Sequence, residues 1–463
     1  MQSFDIEEDS LNFSTKQVEE DNVSTTTKNA PVGYTKLIVI LCVFNILLKA
    51  SYSVCAPLLP GEASLKEVDQ SVVGLIFCSY SVSFAIISPI AGKLMAKYGR
   101  RNCLIFGSAL VGLSNIGFVI LHFMDGPYVF IICFTLLRLI QGVGTGCLQT
   151  ANYSILSLMY PSQVEFVCGC LEAAAGVGMC FGPFIAIPLY MLGGYILSFL
   201  VFGIIFCVYC FMINPIVPKE VDELEEVEID TSKYSYSKML FNRRILFANL
   251  ALLVNIFQYT FIDPFLSDRM AEDFGYGAKS ASLLFFILGI GYAGACNCVF
   301  ITLQHLSFRR CFFIFFILNG LCTLMYGPTQ ILPIPNSLLL IGLFMFLGGI
   351  TSAHTIIPTL PEIIEAGRNE LNYPAEVLND LSSGLFNMFF AFGEILGPLI
   401  GNHLYVEKGM AKTCEIIGIS VITFSIIYFL VCDKSMPWNK SKKVRVLLEE
   451  DVYSSLKSIN QSD

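Results

Sequence analysis

Asp263, Glu172, Glu394, Arg138 and Lys49 each stand inside a long apolar run. A charge at the centre of a bilayer costs roughly 2.5 to 3.5 kcal/mol on insertion scales, so these five side chains must face protein or water rather than lipid. Three of them are carboxylates. Stranded in oil, a carboxylate can replace the water around an organic cation, and because burial disfavours its charged form it can also take up a proton near working pH. A single group does both by competition: protonation from one side releases the cation, and deprotonation toward the other restores the site. Asp263 directly precedes Pro264, which breaks a helix. Glu172 lies ten residues before Gly182, and Asn387 lies ten before Gly397, so a polar residue recurs at one helical phase. Substrate and proton binding is therefore expected at Asp263 and Glu172, joined by Glu394 and Asn387. The bland alternative for Glu172 is a fixed salt bridge to Arg138. Lys49 is expected to pair with Asp263 or to snorkel. Tyr52, Tyr80 and Tyr259 offer ring faces to an ammonium group, while His354, alone in a helix, reads as a packing residue.

Two copies of one pattern position these groups. Gly178-Met179-Cys180-Phe181-Gly182-Pro183 and Gly393-Glu394-Ile395-Leu396-Gly397-Pro398 share G-x-x-x-G-P. Glycines four apart lie on one helix face and let a neighbouring helix come close, and the proline distorts the end of the segment. Such a repeat predicts an internally duplicated membrane protein with its polar site near the pseudo-symmetry axis. Composition agrees. Apolar residues make up 55% of 463 positions and charged ones 14%, against about 25% charged in soluble domains. Twelve apolar segments are expected near 36–59, 71–96, 103–122, 128–158, 165–190, 193–213, 245–267, 279–304, 311–327, 336–361, 380–405 and 413–432, most of them exceeding the ~20 residues that cross a bilayer. The fold class is all-α: twelve transmembrane helices in two pseudo-symmetric six-helix bundles, 36–213 and 245–433. Between them runs an acidic linker, 214–244, containing Lys219-Glu220-Val221-Asp222-Glu223-Leu224-Glu225-Glu226. Residues 1–35 and 434–463 read as polar tails, the first disordered.

Of the 28 Lys and Arg, 21 fall on the side of both termini and only Lys66, Arg269, Lys279, Lys408 and Lys412 on the other. Positive charge marks the cytosolic face, which places both termini and the linker there. The sequons at Asn12, Asn22 and Asn439 are then unused. No charged region followed by an apolar stretch opens the chain, so a cleaved leader is not expected. The net charge of -9 is carried by the ends and the linker and says little about nucleic acid, but the lack of a basic, aromatic-interleaved patch argues against it as a partner. Seventeen cysteines lie scattered through apolar runs, where a thiol packs as a small hydrophobe. Cys207-x-x-Cys210 lacks a second ligand pair, so neither a metal nor another cofactor is expected. With no phosphate loop and no nucleophile grouped with a base, the chain does not read as an enzyme.

The loop Gly92-Lys93-Leu94-Met95-Ala96-Lys97-Tyr98-Gly99-Arg100-Arg101 carries cations among small residues, fit to anchor and gate one face. It resembles the loop motif of the major facilitator superfamily, with Ala96 where that motif usually has aspartate. Arg138-Leu139-Ile140-Gln141-Gly142-Val143-Gly144 resembles the family's fourth-helix motif, and Gly178, Gly182 and Pro183 its fifth-helix antiporter motif. Within the family, Phe261-Ile262-Asp263-Pro264, the stretch from Ile356 to Ile363, Ser383-Gly384-Leu385-Phe386, Gly397-Pro398 and Gly169-Cys170-Leu171-Glu172 resemble the vesicular amine transporters, and among those their polyamine-transporting branch. That resemblance implies exchange of lumenal protons for a cytosolic organic cation by a monomer in vesicle or other endomembranes. Leu48, Ala353 and Asn387 stand where monoamine members carry acids, which points away from monoamines. Arg138, Gly92, Lys97, Gly99, Arg100, Arg101, Gly393, Gly397, Pro398 and Lys49 take structural or gating roles. A plasma-membrane drug or sugar carrier of the same fold, and more remotely a receptor or scaffold, are the competing readings. Tyr453-Ser454-Ser455-Leu456 matches a tyrosine-based sorting signal.

Overall fold

A computed structural model describes residues 35–222, 234–275, 278–327 and 335–432. The tails, with their sequons and Tyr453, lie outside the described residues. Among the described residues the regular elements are helices, as lipid requires of a chain that must satisfy every backbone group within its own span.

The first four expected segments are α1 (Thr35–Leu65), α2 (Gln70–Tyr98), α3 (Arg100–His122) and α4 (Pro127–Met159). The fifth and sixth merge into α5 (Val164–Ile216), whose backbone leaves the helix only at Gly193 and at Gly194, φ 65°. A six-residue helix, α6 (Tyr236–Phe241), ends the linker, and α7 (Arg243–Thr260) is the seventh segment. It is shorter than the expected 245–267 because 261–265 form turns around Pro264, after which α8 (Leu266–Phe274) resumes. Then come α9 (Ala278–His305), α10 (Phe308–Met325), α11 (Leu338–Ile356), α12 (Thr359–Leu371) and α13 (Ala375–Cys432). At 58 residues α13 would be about 87 Å long if straight, roughly three bilayer cores. Gly409, φ 76°, breaks it between the eleventh and twelfth expected segments.

Ten stretches among the described residues are long and apolar enough to cross a membrane. Dividing α13 at Gly409 and adding α7 restores the twelve segments. α7 falls short of that standard because Arg243, Arg244, Asn249, Asn255 and Gln258 dilute its apolar character. Two packings matter for the site. Helix α2 lies along α13, and α5 lies along α9, so each contact joins an early helix to a late one.

The duplicated glycine motif does the same job twice. A methyl placed on Gly178 would meet the Ile46 carbonyl and lie 2.9 Å from Lys49 Cβ; one on Gly182 would meet Ser53 Oγ and lie 2.9 Å from the Ala50 carbonyl. Both partners are on α1. On α13 the Gly393 methyl would approach Ile256 Cβ to 2.5 Å, and the Gly397 methyl the Phe257 carbonyl to 2.8 Å, both on α7. The first copy therefore seats α1 and the second seats α7. Pro183 and Pro398 both lie within continuing helix.

Candidate functional site

Glu172 is 3% exposed on α5. Tyr153 of α4 and Tyr292 of α9 donate their hydroxyls to its two oxygens, Oε1 and Oε2. The carboxylate thus draws together an early helix and a late one. Tyr259 of α7 packs on Tyr292 with centroids 5.8 Å apart, and Phe386 of α13 on Tyr153 at 5.0 Å. Beside Phe386, Asn387 sends Nδ2 to Thr150 Oγ1 at 3.3 Å and to its own helix at the Ser383 carbonyl, 3.0 Å away.

Arg138 is completely buried and, among the described residues, meets no carboxylate. Its Nη1 donates to Gln141 Oε1 at 2.8 Å, and its guanidinium carbon lies 5.2, 5.2 and 4.8 Å from the ring centres of Tyr52, Phe77 and Tyr80. Nε and Nη2 have no hydrogen-bond partner among the described residues. A desolvated cation–π contact contributes up to about 2 kcal/mol, so three rings offset much of the burial cost. The alternative of a fixed Arg138–Glu172 bridge is not realised; the tyrosines hold that acid instead.

Lys49 corrects a second expectation. Its Nζ lies 3.5 Å from Gln149 Oε1 and 5.9 and 5.1 Å from the ring centres of Phe84 and Phe390. It is 5% exposed, so it does not snorkel, and among the described residues it makes no ion pair with Asp263. Within electrostatic reach of Lys49 and Arg138 is Glu394, which accepts from Ser81 Oγ at 3.4 Å. Asp263 sits in the turn after α7, with its backbone N–H on the Thr260 carbonyl at 3.1 Å. Its side chain is exposed to solvent-sized space in the turn that Pro264 makes. Asp263 and Glu394 feel each other's charge, and Glu394 also feels that of Glu172. Glu394 thus stands electrostatically between Asp263 and Glu172, while Asn387 bonds Thr150 of α4. His354 bonds Thr302 Oγ1 at 3.1 Å and stacks on Phe315 at 4.0 Å, a packing role.

At the end of the bundle that carries the linker, the loop motif builds a clamp. Arg100 opens α3 and is 2% exposed. It grips Asp380 of α13 with Nε on Oδ1 at 2.9 Å and Nη2 on Oδ2 at 3.1 Å, and reaches the Val221 carbonyl at 2.8 Å. Ser154 also donates to Asp380. From the linker, Asp222 Oδ1 accepts the Arg100 backbone N–H at 2.5 Å and packs against Gly99, φ 85°. These two acids supply the charge that Ala96 lacks. Arg101 ties Asn214, and Lys97 lies over Tyr98. A matching network closes the late helices, where Arg244 pairs with Glu362 at 2.5 Å and Arg309 reaches the same acid at 3.4 Å. Sequence reading missed Asp380 and Glu362 because they stand at segment ends, where a charge looks like an anchor. It missed Tyr153 and Tyr292 because nothing local separates them from the other tyrosines.

Comparison with known proteins speaks to the family and the fold. A profile described as Major Facilitator Superfamily matches residues 41–365. The chain is 28% identical over 415 residues to the human "MFS-type transporter SLC18B1", covering 88% of each chain. It is 21% identical over 404 residues to the human "Synaptic vesicular amine transporter", covering 84% of this chain and 72% of that one. Among solved structures, the human organic anion transporter MFSD10 (TETRAN) superposes with a TM-score of 0.68 at 16% identity, covering 86% of this chain and 99% of that one, which speaks to the fold alone.

Proposed function

The chain belongs to the Major Facilitator Superfamily and is a secondary transporter of that type; from this we propose that it exchanges protons for an organic cation of the polyamine kind. Two six-helix halves, 36–213 and 245–433, rock about the central field of Glu172, Asp263 and Glu394. With these acids ionised the space attracts an ammonium group. Protonation from the acidic side removes the attraction and lets the cation go, and return of the deprotonated site toward the other side resets the cycle. Asn387 lines the path, and the glycine motifs set how closely α1 and α7 approach it.

The observation that carries this reading is the separation of acids from bases. Arg138 and Lys49 are held by amides and aromatic rings, and neither forms an ion pair with Glu172, Asp263 or Glu394 among the described residues. Among the described residues no contact ion pair therefore ties up the three carboxylates, although Glu394 lies within electrostatic reach of both cations. A relative named as a synaptic vesicular amine transporter supports an amine and an endomembrane. The asymmetry of basic residues supports cytosolic termini, and the complete site within one chain supports a monomer.

The test is uptake of labelled spermidine, serotonin and glucose by purified protein in proteoliposomes with an acidic lumen. Spermidine uptake that collapses when nigericin removes the gradient is expected. Strong glucose uptake without spermidine would replace this reading with a sugar carrier.

A further inference from the structure

The linker does more than connect. Its last residues are fastened to the late helices: the Tyr234 ring packs on Tyr373 at 4.9 Å, the Ser235 backbone N–H reaches Tyr373 Oη at 3.4 Å, and Asn242 Nδ2 donates to Glu370 at 2.8 Å. Between those anchors, Tyr236 turns the other way. Its hydroxyl donates to the Pro89 carbonyl of α2 at 2.7 Å, and Lys93 of α2 lies over its ring at 5.2 Å.

The hydroxyl enters a slot that only glycine leaves open. Gly92 of α2 and Gly384 of α13 both border it at the seam between these helices. A methyl on Gly92 would collide with Tyr236 Oη and come within 2.7 Å of the Asp380 carbonyl; one on Gly384 would come within 2.7 Å of Tyr236 Oη and 2.9 Å of the Ser88 carbonyl. One level away, Arg100 and Asp380 close the same seam. The linker thus travels with the late half yet bonds the early one, where the two must part if access alternates.

We propose that Tyr236 is a positioning residue of the transport cycle, a bolt carried by the linker that holds the adjoining ends of α2 and α13 together and withdraws whenever that end opens. The inference rests on the rocking motion described above but not on the identity of the cargo. The phenol tip occupies the slot, and its hydroxyl bond adds the stabilisation of one hydrogen bond, enough to shift the closed-to-open ratio about two- to tenfold. Removing the bolt releases the closed form while leaving the carboxylate field intact.

Hydrogen–deuterium exchange of the full-length protein in nanodiscs tests this without any substrate. In Tyr236→Ala, exchange over residues 89–98 and 375–385 should rise about two- to tenfold above wild type. Tyr236→Phe keeps the ring and should give a smaller rise in the same two segments. Unchanged exchange in Tyr236→Ala would overturn the proposal. So would an equal rise over 278–305 and 338–356, which would mark general destabilisation. Because no cargo enters the assay, a failed spermidine experiment leaves this outcome readable.

Discussion

Glu172, with a tyrosine hydroxyl on each oxygen, can release a partner only by trading one hydrogen bond for another. Glu172→Gln retains the shape but not the charge, and gradient-driven spermidine uptake should fall at least about tenfold, one unit of coupling energy near 1.4 kcal/mol. Asp263→Asn should do the same. Uptake unchanged in both variants would favour the drug or sugar carrier. Arg138 makes a different prediction. Lysine keeps the charge but not the planar group that three rings enclose, so Arg138→Lys should lose roughly 1 to 2 kcal/mol, seen as a lower thermal midpoint in detergent. An equal midpoint would show that the rings do not hold the guanidinium. How much of the site was readable differs residue by residue. Asp263, Glu172 and Glu394 were visible as charges in oil, because desolvation is felt by one residue at a time. Lys49 was misplaced, since its partners Gln149, Phe84 and Phe390 are uncharged and leave no pattern in the chain.

Helices α3 and α13 meet through the Arg100–Asp380 pair, both groups 2% exposed. Deleting one partner strands the other as a buried charge, at a cost of about 3 to 5 kcal/mol, whereas replacing both with apolar residues is far milder. Arg100→Ala should therefore lower the thermal midpoint much more than the double variant Arg100→Met with Asp380→Leu. A double variant as damaged as the single would show that the pair's attraction, rather than an orphaned charge, carries the effect. The glycine motifs act between elements too. Gly182→Ala pushes on α1 and Gly397→Ala on α7, and each should reduce uptake several-fold at similar expression. Normal uptake in both would mean that these helices have slack to give. The motif was legible because spacing of four on a helix is a local fact. Its partners were not, since G-x-x-x-G-P says only that some helix approaches closely.

At the scale of the molecule the orientation is open to a direct check. If both termini are cytosolic, a glycosylation sequon inserted after Gly409 should acquire sugar, while one inserted after Tyr98 should not. The reverse pattern would invert the topology and with it the direction of proton flow. The chain alone determined that it spans a membrane many times, that its second half repeats the plan of its first, and which acids sit in apolar runs. These follow from hydropathy, spacing and charge, quantities defined along a line. Only the tertiary structure decided that Tyr153 and Tyr292 share Glu172, that Arg138 is caged rather than paired, that Asp380 answers Arg100 from 280 positions away, and that a linker tyrosine lies in the seam. Each of those depends on which helix faces which across the bundle. A one-dimensional pattern constrains the face a helix presents, but the neighbour it meets is set by packing the whole.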